Sequence, residues 1–276
     1  MSIYRCPVCK NKLIKIDKSY VCMNKHSFDI SKKGYVNLLL ANQSHSLNPG
    51  DSKEMVEART NFLKLDYYLF LKEKLVEIVN EYIIDNGNFC DLACGEGYYT
   101  NDIHSKIKLK NCKSYGVDLS KYAIMEAGRK KRISHFDNLN YCIGNLMNLP
   151  YIDNSFDVLL NCFAPMFSDE FYRILKPKGI FIRVLPNKRH MYELKELIYE
   201  KPRENSEKEE YIKGFKLLKT IEINRVVSID NYEDVLNLFK MTPLFYKSDL
   251  KVIENIKKID TINLNFDFVI NIYERE

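Results

Sequence analysis

One run of residues limits what this 276-residue chain can become: Phe89-Cys90-Asp91-Leu92-Ala93-Cys94-Gly95-Glu96-Gly97-Tyr98-Tyr99-Thr100. It reads as the end of a buried strand, a glycine turn and the first turn of a helix. Gly95 and Gly97 let backbone approach a ligand where a Cβ would block it. Asp91 stands just ahead of them, and the next strand candidate, Lys113-Ser114-Tyr115-Gly116-Val117-Asp118, ends in a second acid. Acid, turn, helix, strand, acid is the order a nucleoside-bearing ligand needs, because the second carboxylate accepts from ribose hydroxyls. A dinucleotide fold presents the same acid, so a third glycine decides. The fingerprint G-x-G-x-x-G rests a pyrophosphate on the helix N-terminus. Here Thr100 holds that place, and Asp91 would repel a diphosphate. The pattern favours a ligand with a cationic end and no phosphate. An ordinary strand-to-helix turn is the competing reading.

From Asn88 the chain alternates. Strands are expected at 89–92, 114–117, 139–143, 156–162 and 180–185, with helices between, one of them capped by Ser120. Near-continuous apolar strands alternating with helices imply a parallel sheet covered on both faces. Ligands sit at the carboxyl ends of such strands, near the point where strand order reverses. That gathers Asp91, Gly95, Asp118, Asn145 and the Asn161-to-Pro165 loop around one crevice. A helix is expected over about 190–199, and the charged stretch 201–213 reads as a solvated excursion. A late strand, helix and strand (217–229, 231–239, 266–273) fit an antiparallel hairpin closing the sheet.

The first forty residues are of another kind. Cys6-Pro7-Val8-Cys9, twelve residues, Cys22, three residues and His26 form two knuckles that can close a tetrahedron around zinc. Two short strands, Lys12 to Ile16 and Tyr20 to Cys22, fit between them. A region this short buries little core, so the metal would stabilise it, and metal loss should unfold it while the rest stays folded. Lys32, Lys33 and Tyr35 follow as a basic-aromatic cluster of the kind that touches phosphate and stacks on bases. Residues 1–50 carry a net +6 and the other 226 residues a net −1, so the basic excess of +5 is local. A local basic patch suggests a polyanion partner, with a solubilising face as the alternative. Met1 to Lys10 has Cys and Pro where a signal peptide needs an apolar run, and no run is long enough to span a membrane. Eight cysteines then argue for a reducing, cytoplasmic setting, which conflicts with a disulfide among the four ligands. Cys90, Cys94, Cys112, Cys142 and Cys162 read as small buried hydrophobes. A helix is expected from near Ser52, with Asp51 or Ser52 as its cap, then a second helix after Asp66-Tyr67-Tyr68.

The glycine segment resembles motif I of the class I S-adenosylmethionine-dependent methyltransferases, D-x-G-x-G-x-G, with Ala93 in place of the first glycine. Leu175-Lys176-Pro177-Lys178-Gly179 before a strand is similar to a feature of the same class. Taken with the zinc knuckles, Gly34-Tyr35-Val36-Asn37-Leu38 and Asn48-Pro49-Gly50-Asp51-Ser52, the whole chain resembles the bacterial large-subunit rRNA guanine-N1 methyltransferases. The resemblance implies an α/β class I fold with a seven-stranded, mostly parallel sheet behind a small zinc-binding β module. It implies a division into a zinc-binding RNA-recognition module (1–40), a linker loop and helices (41–86) and a methyltransferase domain (87–276). It further implies zinc on Cys6, Cys9, Cys22 and His26, and S-adenosylmethionine on Tyr68, Gly95, Glu96 and His190. The class I pattern adds Asp91, Gly97, Asp118, Asn145 and Leu146. The partner implied is large-subunit ribosomal RNA, methylated at a guanine in a hairpin loop. Some members of the family confer macrolide resistance, and a homodimer stays open.

Guanine N1 carries a proton that must leave, and a positioned carboxylate is its natural acceptor. Asp51 and Glu54 are the candidates, because their loop can fold over the crevice; a helix cap explains Asp51 equally well. Tyr98, Tyr99, Phe163 and Phe167 can stack an extruded base or serve as core. A small-molecule methyltransferase and a non-catalytic RNA-binding factor are the competing functions. The basic N-terminal region speaks against the first, and the intact Asp91, Gly95, Gly97 and Asp118 set against the second.

Overall fold

Strands buried along almost their whole length need cover on both sides, and the computed structural model provides it. It describes residues 2–40, 49–205, 211–245 and 248–276. The knuckle region forms β1 (Leu13–Ile16), β2 (Ser19–Cys22) and β3 (Ser27–Asp29), a small antiparallel sheet, followed by β4 (Tyr35–Asn37). Helices α1 (Lys53–Leu63) and α2 (Leu69–Tyr82) lead to β5 (Asn88–Leu92), α3 (Tyr98–Lys106), β6 (Lys113–Asp118), α4 (Lys121–Ile133), β7 (Leu139–Ile143) and β8 (Phe156–Cys162). Then come α5 (Ser168–Ile174), β9 (Leu175–Pro186), α6 (Tyr192–Glu196), β10 (Phe215–Ile229), α7 (Tyr232–Lys240), α8 (Leu250–Ile256) and β11 (Ile262–Arg275).

The main sheet has eight strands in the order β10-β11-β9-β8-β5-β6-β7-β4. It contains the expected seven and one more, β4, which pairs in parallel with β7 through Tyr35–Tyr141, Val36–Cys142 and Asn37–Ile143. β11 runs antiparallel to both β9 and β10, closing one edge. Order reverses beside β5, whose neighbours are β6 and β8, so the strand ends diverge there into a crevice.

One face of the sheet packs against α1, α2, α3, α7 and α8 through Phe62, Leu71, Leu75, Ile103, Val235 and Val252. The opposite face is covered in part by the knuckle region. Tyr4, Leu13 and Tyr20 join Cys90, Leu92, Tyr115 and Val117 in one core with Phe171 and Ile174 of α5. Tyr4 stacks on Tyr151 with centroids 5.5 Å apart and meets Tyr20 edge-on at 5.0 Å. The connection 144–155 carries Leu146, Leu149 and Tyr151 into the same core. The N-terminal module therefore does for this face what a crossover helix would do in an ordinary doubly wound sheet. No helix among the described residues is long and apolar enough to cross a membrane.

Candidate active site and metal centre

The crevice at the end of β5 begins with a backbone that turns sharply three times. Ala93, Gly95 and Gly97 have φ of 61°, 55° and 80°. Gly97 caps α3 in the left-handed region, and a Cβ on it would lie 2.5 Å from the Tyr141 hydroxyl and 2.7 Å from Asn101 Nδ2. Gly97 thus serves the packing of the turn, while Gly95 and Glu96 line the crevice itself. Beneath the turn, Asp91 is buried and accepts from Thr100 Oγ1 at 2.6 Å. Burial raises its carboxyl to about 7.

Asp118 ends β6 and reaches back to the turn. Its Oδ2 accepts from Gly95 N at 2.9 Å and its Oδ1 from Ser120 N at 2.8 Å. Each carboxylate oxygen has two acceptor sites, so one on each remains for a hydroxyl pair. Burial raises this carboxyl too. Glu96, also buried, pairs with Lys130 at 3.2 Å. Asn145 and Leu146 form the wall beyond β7, where Asn145 Oδ1 accepts from Met147 N at 2.9 Å.

Tyr68 and His190 close the other end. The Tyr68 ring is buried edge-on against Phe266 and Phe268, at 4.7 Å and 5.3 Å. His190 is buried beside Phe268, and its Nδ1 accepts from Asp267 N at 3.3 Å. Burial, then Lys195, lowers its pKa to about 3, so the ring is neutral. Phe163, with φ of 56°, holds its ring parallel to His190 at 6.4 Å and is 42% exposed at the mouth. Cys162, the one strand cysteine that is not fully buried, lines the crevice beside it.

The two candidate proton acceptors part company. Asp51 lines the crevice and pairs with Arg59 of α1. Its backbone carbonyl accepts from Ser120 Oγ at 2.8 Å, which holds the loop over the N-terminus of α4. Glu54 faces away, paired with Lys240 of α7 at 2.7 Å. It lies on the face of the first turn of α1 that meets α7, whereas Met55 and Arg59 of the same helix line the crevice. Arg59 escaped the sequence reading. It lies in no motif, and only the approach of α1 to the glycine turn brings its guanidinium among Asp51, Glu96 and Asp118. Its Nη2 also donates to Met241 O at the end of α7, at 3.3 Å. Arg183, in the second half of β9, is a second crevice cation with no sequence signal.

The crevice measures about 1780 Å³, more than one small ligand fills. Acids dominate the turn, and no described residue there offers a phosphate cradle. That suits a sulfonium nucleoside better than a diphosphate.

The four knuckle side chains converge. Cys6 Sγ lies 3.6 Å from His26 Nδ1, Cys22 Sγ 3.4 Å from the same nitrogen, and Cys9 Sγ 3.6 Å from Cys22 Sγ. All four ligand atoms fall within 4.8 Å of one another. A tetrahedron with zinc–sulfur and zinc–nitrogen bonds of ordinary length has edges of about 3.5–3.8 Å, so the set fits zinc. The Asn11 backbone N–H, followed by the neighbouring ligands, lowers the Cys9 thiol to about 6, favouring the thiolate a metal requires.

Family models match both halves: "Methyltransferase domain" over residues 83–226 and "RlmA, N-terminal", a zinc ribbon, over residues 4–47. A Bacillus subtilis protein, YxjB, named for 23S rRNA (guanine-N1-)-methyltransferase activity, is 27% identical over 96% of this chain and 95% of its own. The 23S rRNA (guanine(748)-N1)-methyltransferase of Streptomyces fradiae is 30% identical over 69% of this chain and 65% of its own. A Micromonospora griseorubida protein named for the same guanine-N1 reaction is 30% identical over 69% of this chain and 68% of its own. The chain belongs to the 23S rRNA guanine-N1 methyltransferase family. Among solved structures, the YcgJ protein of Bacillus subtilis superposes with a TM-score of 0.51 at 14% identity, over 74% of this chain and 97% of that one, a likeness of fold.

Within this guanine-N1 methyltransferase, Lys32, Lys33 and Tyr35 stand apart from the crevice. They form the turn into β4 and lie against α4. Arg132 Nη1 donates to Lys32 O at 3.4 Å, and the Tyr35 ring covers Gly128. Lys32 is exposed, and Lys33 and Tyr35 are half-buried. Residues 41–48, including Asn48 of the Asn-Pro-Gly-Asp-Ser stretch, lie outside the described residues.

Proposed function

We propose that this chain transfers the methyl group of S-adenosyl-L-methionine to N1 of a guanine in a hairpin loop of large-subunit ribosomal RNA, in the cytoplasm. The observation that carries this reading is a single crevice uniting the acid-lined glycine turn with an aromatic mouth, on a sheet whose other face bears the zinc module. The sulfonium methyl is the electrophile that the bound cofactor supplies. Asp118 holds the ribose; Gly95, Glu96, Tyr68 and His190 line the remainder of the cofactor site; Asn145 and Leu146 flank the base. A neutral His190 adds no positive charge beside a sulfonium. Phe163 offers its exposed ring to the guanine face, and stacking of that kind tolerates a base taken out of its hairpin. Asp51 is the carboxylate for the departing N1 proton. Arg59 holds it in place. In-line placement then does most of the work, since the electrophile is already activated.

The test is transfer from labelled S-adenosylmethionine to a 23S hairpin transcript, followed by nuclease digestion and mass mapping. The expected product is 1-methylguanine at one position. Transfer to small acceptors alone, with none to RNA, would replace this reading by a small-molecule methyltransferase.

A further inference from the structure

A second concavity lies at the seam between the N-terminal module and the catalytic sheet, on the far side of Tyr141 from the glycine turn. It holds about 160 Å³, the share of about five waters in the liquid. Lys15 of β1 and Lys131 of α4 line it, together with Gly34, Tyr35, Asn140 and the tyrosines Tyr4, Tyr20 and Tyr141. Lys131 Nζ lies over Gly34, 3.8 Å from where a Cβ would stand. Neither lysine forms an ion pair among the described residues; Asp137 is the acid that faces Lys131 without reaching it. Lys15 is exposed on β1 and Lys131 half-buried on α4, and both border a cavity whose lining holds no acid. Burial and Lys15 together lower the pKa of Lys131, the mark of a cation held where it lacks a partner.

Three further features decide what the partner is. Lys is a compact point charge suited to phosphate. A basic track of Lys32, half-buried Lys33 and Arg132 runs beside the notch, and the Arg132-to-Lys32 contact ties the track together. The Tyr141 ring lines the notch, while its hydroxyl donates to Asn101 Oδ1 at 3.2 Å beside the cofactor turn. A charge seated in the notch is one side chain away from the cofactor site. We propose that Lys15 and Lys131 form a phosphodiester notch that seats one backbone phosphate of the RNA substrate. It would set the distance between the RNA docked on the zinc module and the base in the crevice. This rests on the RNA methyltransferase reading above.

The experiment compares wild type with the Lys15→Gln/Lys131→Gln double variant and with Lys131→Arg, which keeps the charge. Hairpin RNA is titrated at several salt concentrations, with S-adenosylmethionine affinity measured alongside. The double variant should bind RNA about tenfold more weakly, and its log–log salt slope should be shallower by about 0.7–0.9, the value of one phosphate contact. KM for RNA should rise with kcat at saturation retained, Lys131→Arg should bind RNA like wild type, and cofactor affinity should hold. Hairpins carrying one methylphosphonate at a time should show one position that weakens binding to wild type but not to the double variant. An unchanged salt slope, or no sensitive position, overturns the notch. So does a melting temperature raised by inorganic phosphate in wild type alone while RNA binding ignores both lysines, since the site would then serve a small anion. Should the double variant melt early, the single variant of exposed Lys15, Lys15→Gln, takes its place in the methylphosphonate comparison. If wild type transfers no methyl to RNA, the functional reading has failed instead, and the two failures are distinct.

Discussion

Asp118 shows what a single side chain does here: it closes the glycine turn through Gly95 N, starts α4 through Ser120 N, and in the proposed function offers the ribose one acceptor site on each oxygen. Asp118→Ala should weaken S-adenosylmethionine binding by about 1.5–3 kcal/mol, the range for hydrogen bonds to a charged group. Calorimetry measures this directly, and unaltered affinity would remove Asp118 from the ribose. His190 makes a prediction about pH. Its folded pKa of about 3 lies far below the unfolded value near 6.5, so the stability from keeping it neutral is complete above pH 6.5. That stability is lost as pH falls toward 3, by up to about 1.4 kcal/mol per unit. His190→Gln should flatten the acid limb of urea-denaturation midpoints between pH 6.5 and 4. An equally steep limb would assign it to other groups. Asp91 works in the opposite sense: its raised pKa favours the folded state at low pH, and that contribution is lost as pH rises through about 7.

At the scale of elements, α4 carries the argument. Ser120 caps it by accepting from Ala123 N at 3.3 Å, and its hydroxyl donates to Asp51 O at 2.8 Å. Ser120→Ala should cost about 1 kcal/mol, as cap losses do. Because the same hydroxyl holds the Asp51 loop, kcat should fall with it. Urea melts and steady-state rates check the pair; a stability loss with kcat intact would uncouple the loop from catalysis. Strands β7 and β8 fall on the residues read from sequence, because both faces of each are buried and their apolar runs are nearly unbroken. The helix expected over 190–199 shortens to α6, five residues long. Helix α8 went unread because its seven residues show only one buried i, i+4 pair, Val252 and Ile256. β4 went unread because three residues carry no period, and their partner lies about a hundred residues away at β7.

For the whole molecule, the module boundary at residue 40 is not a break in the core. Tyr4 packs on Tyr115 and Tyr151, Arg5 Nη2 donates to Asn148 Oδ1 and Leu149 O, and β4 extends the catalytic sheet. Residues 1–40 read alone suggest a small domain that a metal stabilises independently. With this shared core, zinc loss should lower the stability of the entire chain. Cys9→Ser or chelation is expected to shift one cooperative thermal transition downward, with the cofactor site weakened through the Asn145-to-Asn148 segment. Two separate transitions, the upper one unmoved, would restore an independent module. Zinc analysis of the purified protein gives the companion check, one metal per chain.

What the sequence determined by itself was everything that depends on local order. The ligand spacing of Cys6, Cys9, Cys22 and His26, the strand-turn-helix with its two acids, and the alternation of buried strands with helices all follow from neighbours along the chain. These are short-range constraints of bond geometry and periodicity, so they survive in one dimension. Tertiary structure alone decided which of Asp51 and Glu54 faces the crevice, since the loop before α1 carries Asp51 to Arg59 while the first turn of α1 turns Glu54 to Lys240 of α7. It also decided that Arg59 and Arg183 enter the site, that Gly97 yields to Tyr141 and not to a ligand, and that Lys15 and Lys131 line one cavity at a seam. Each of these is a contact between groups far apart in sequence. Such contacts are selected by the packing of whole layers, which leaves no period or spacing in the chain to read.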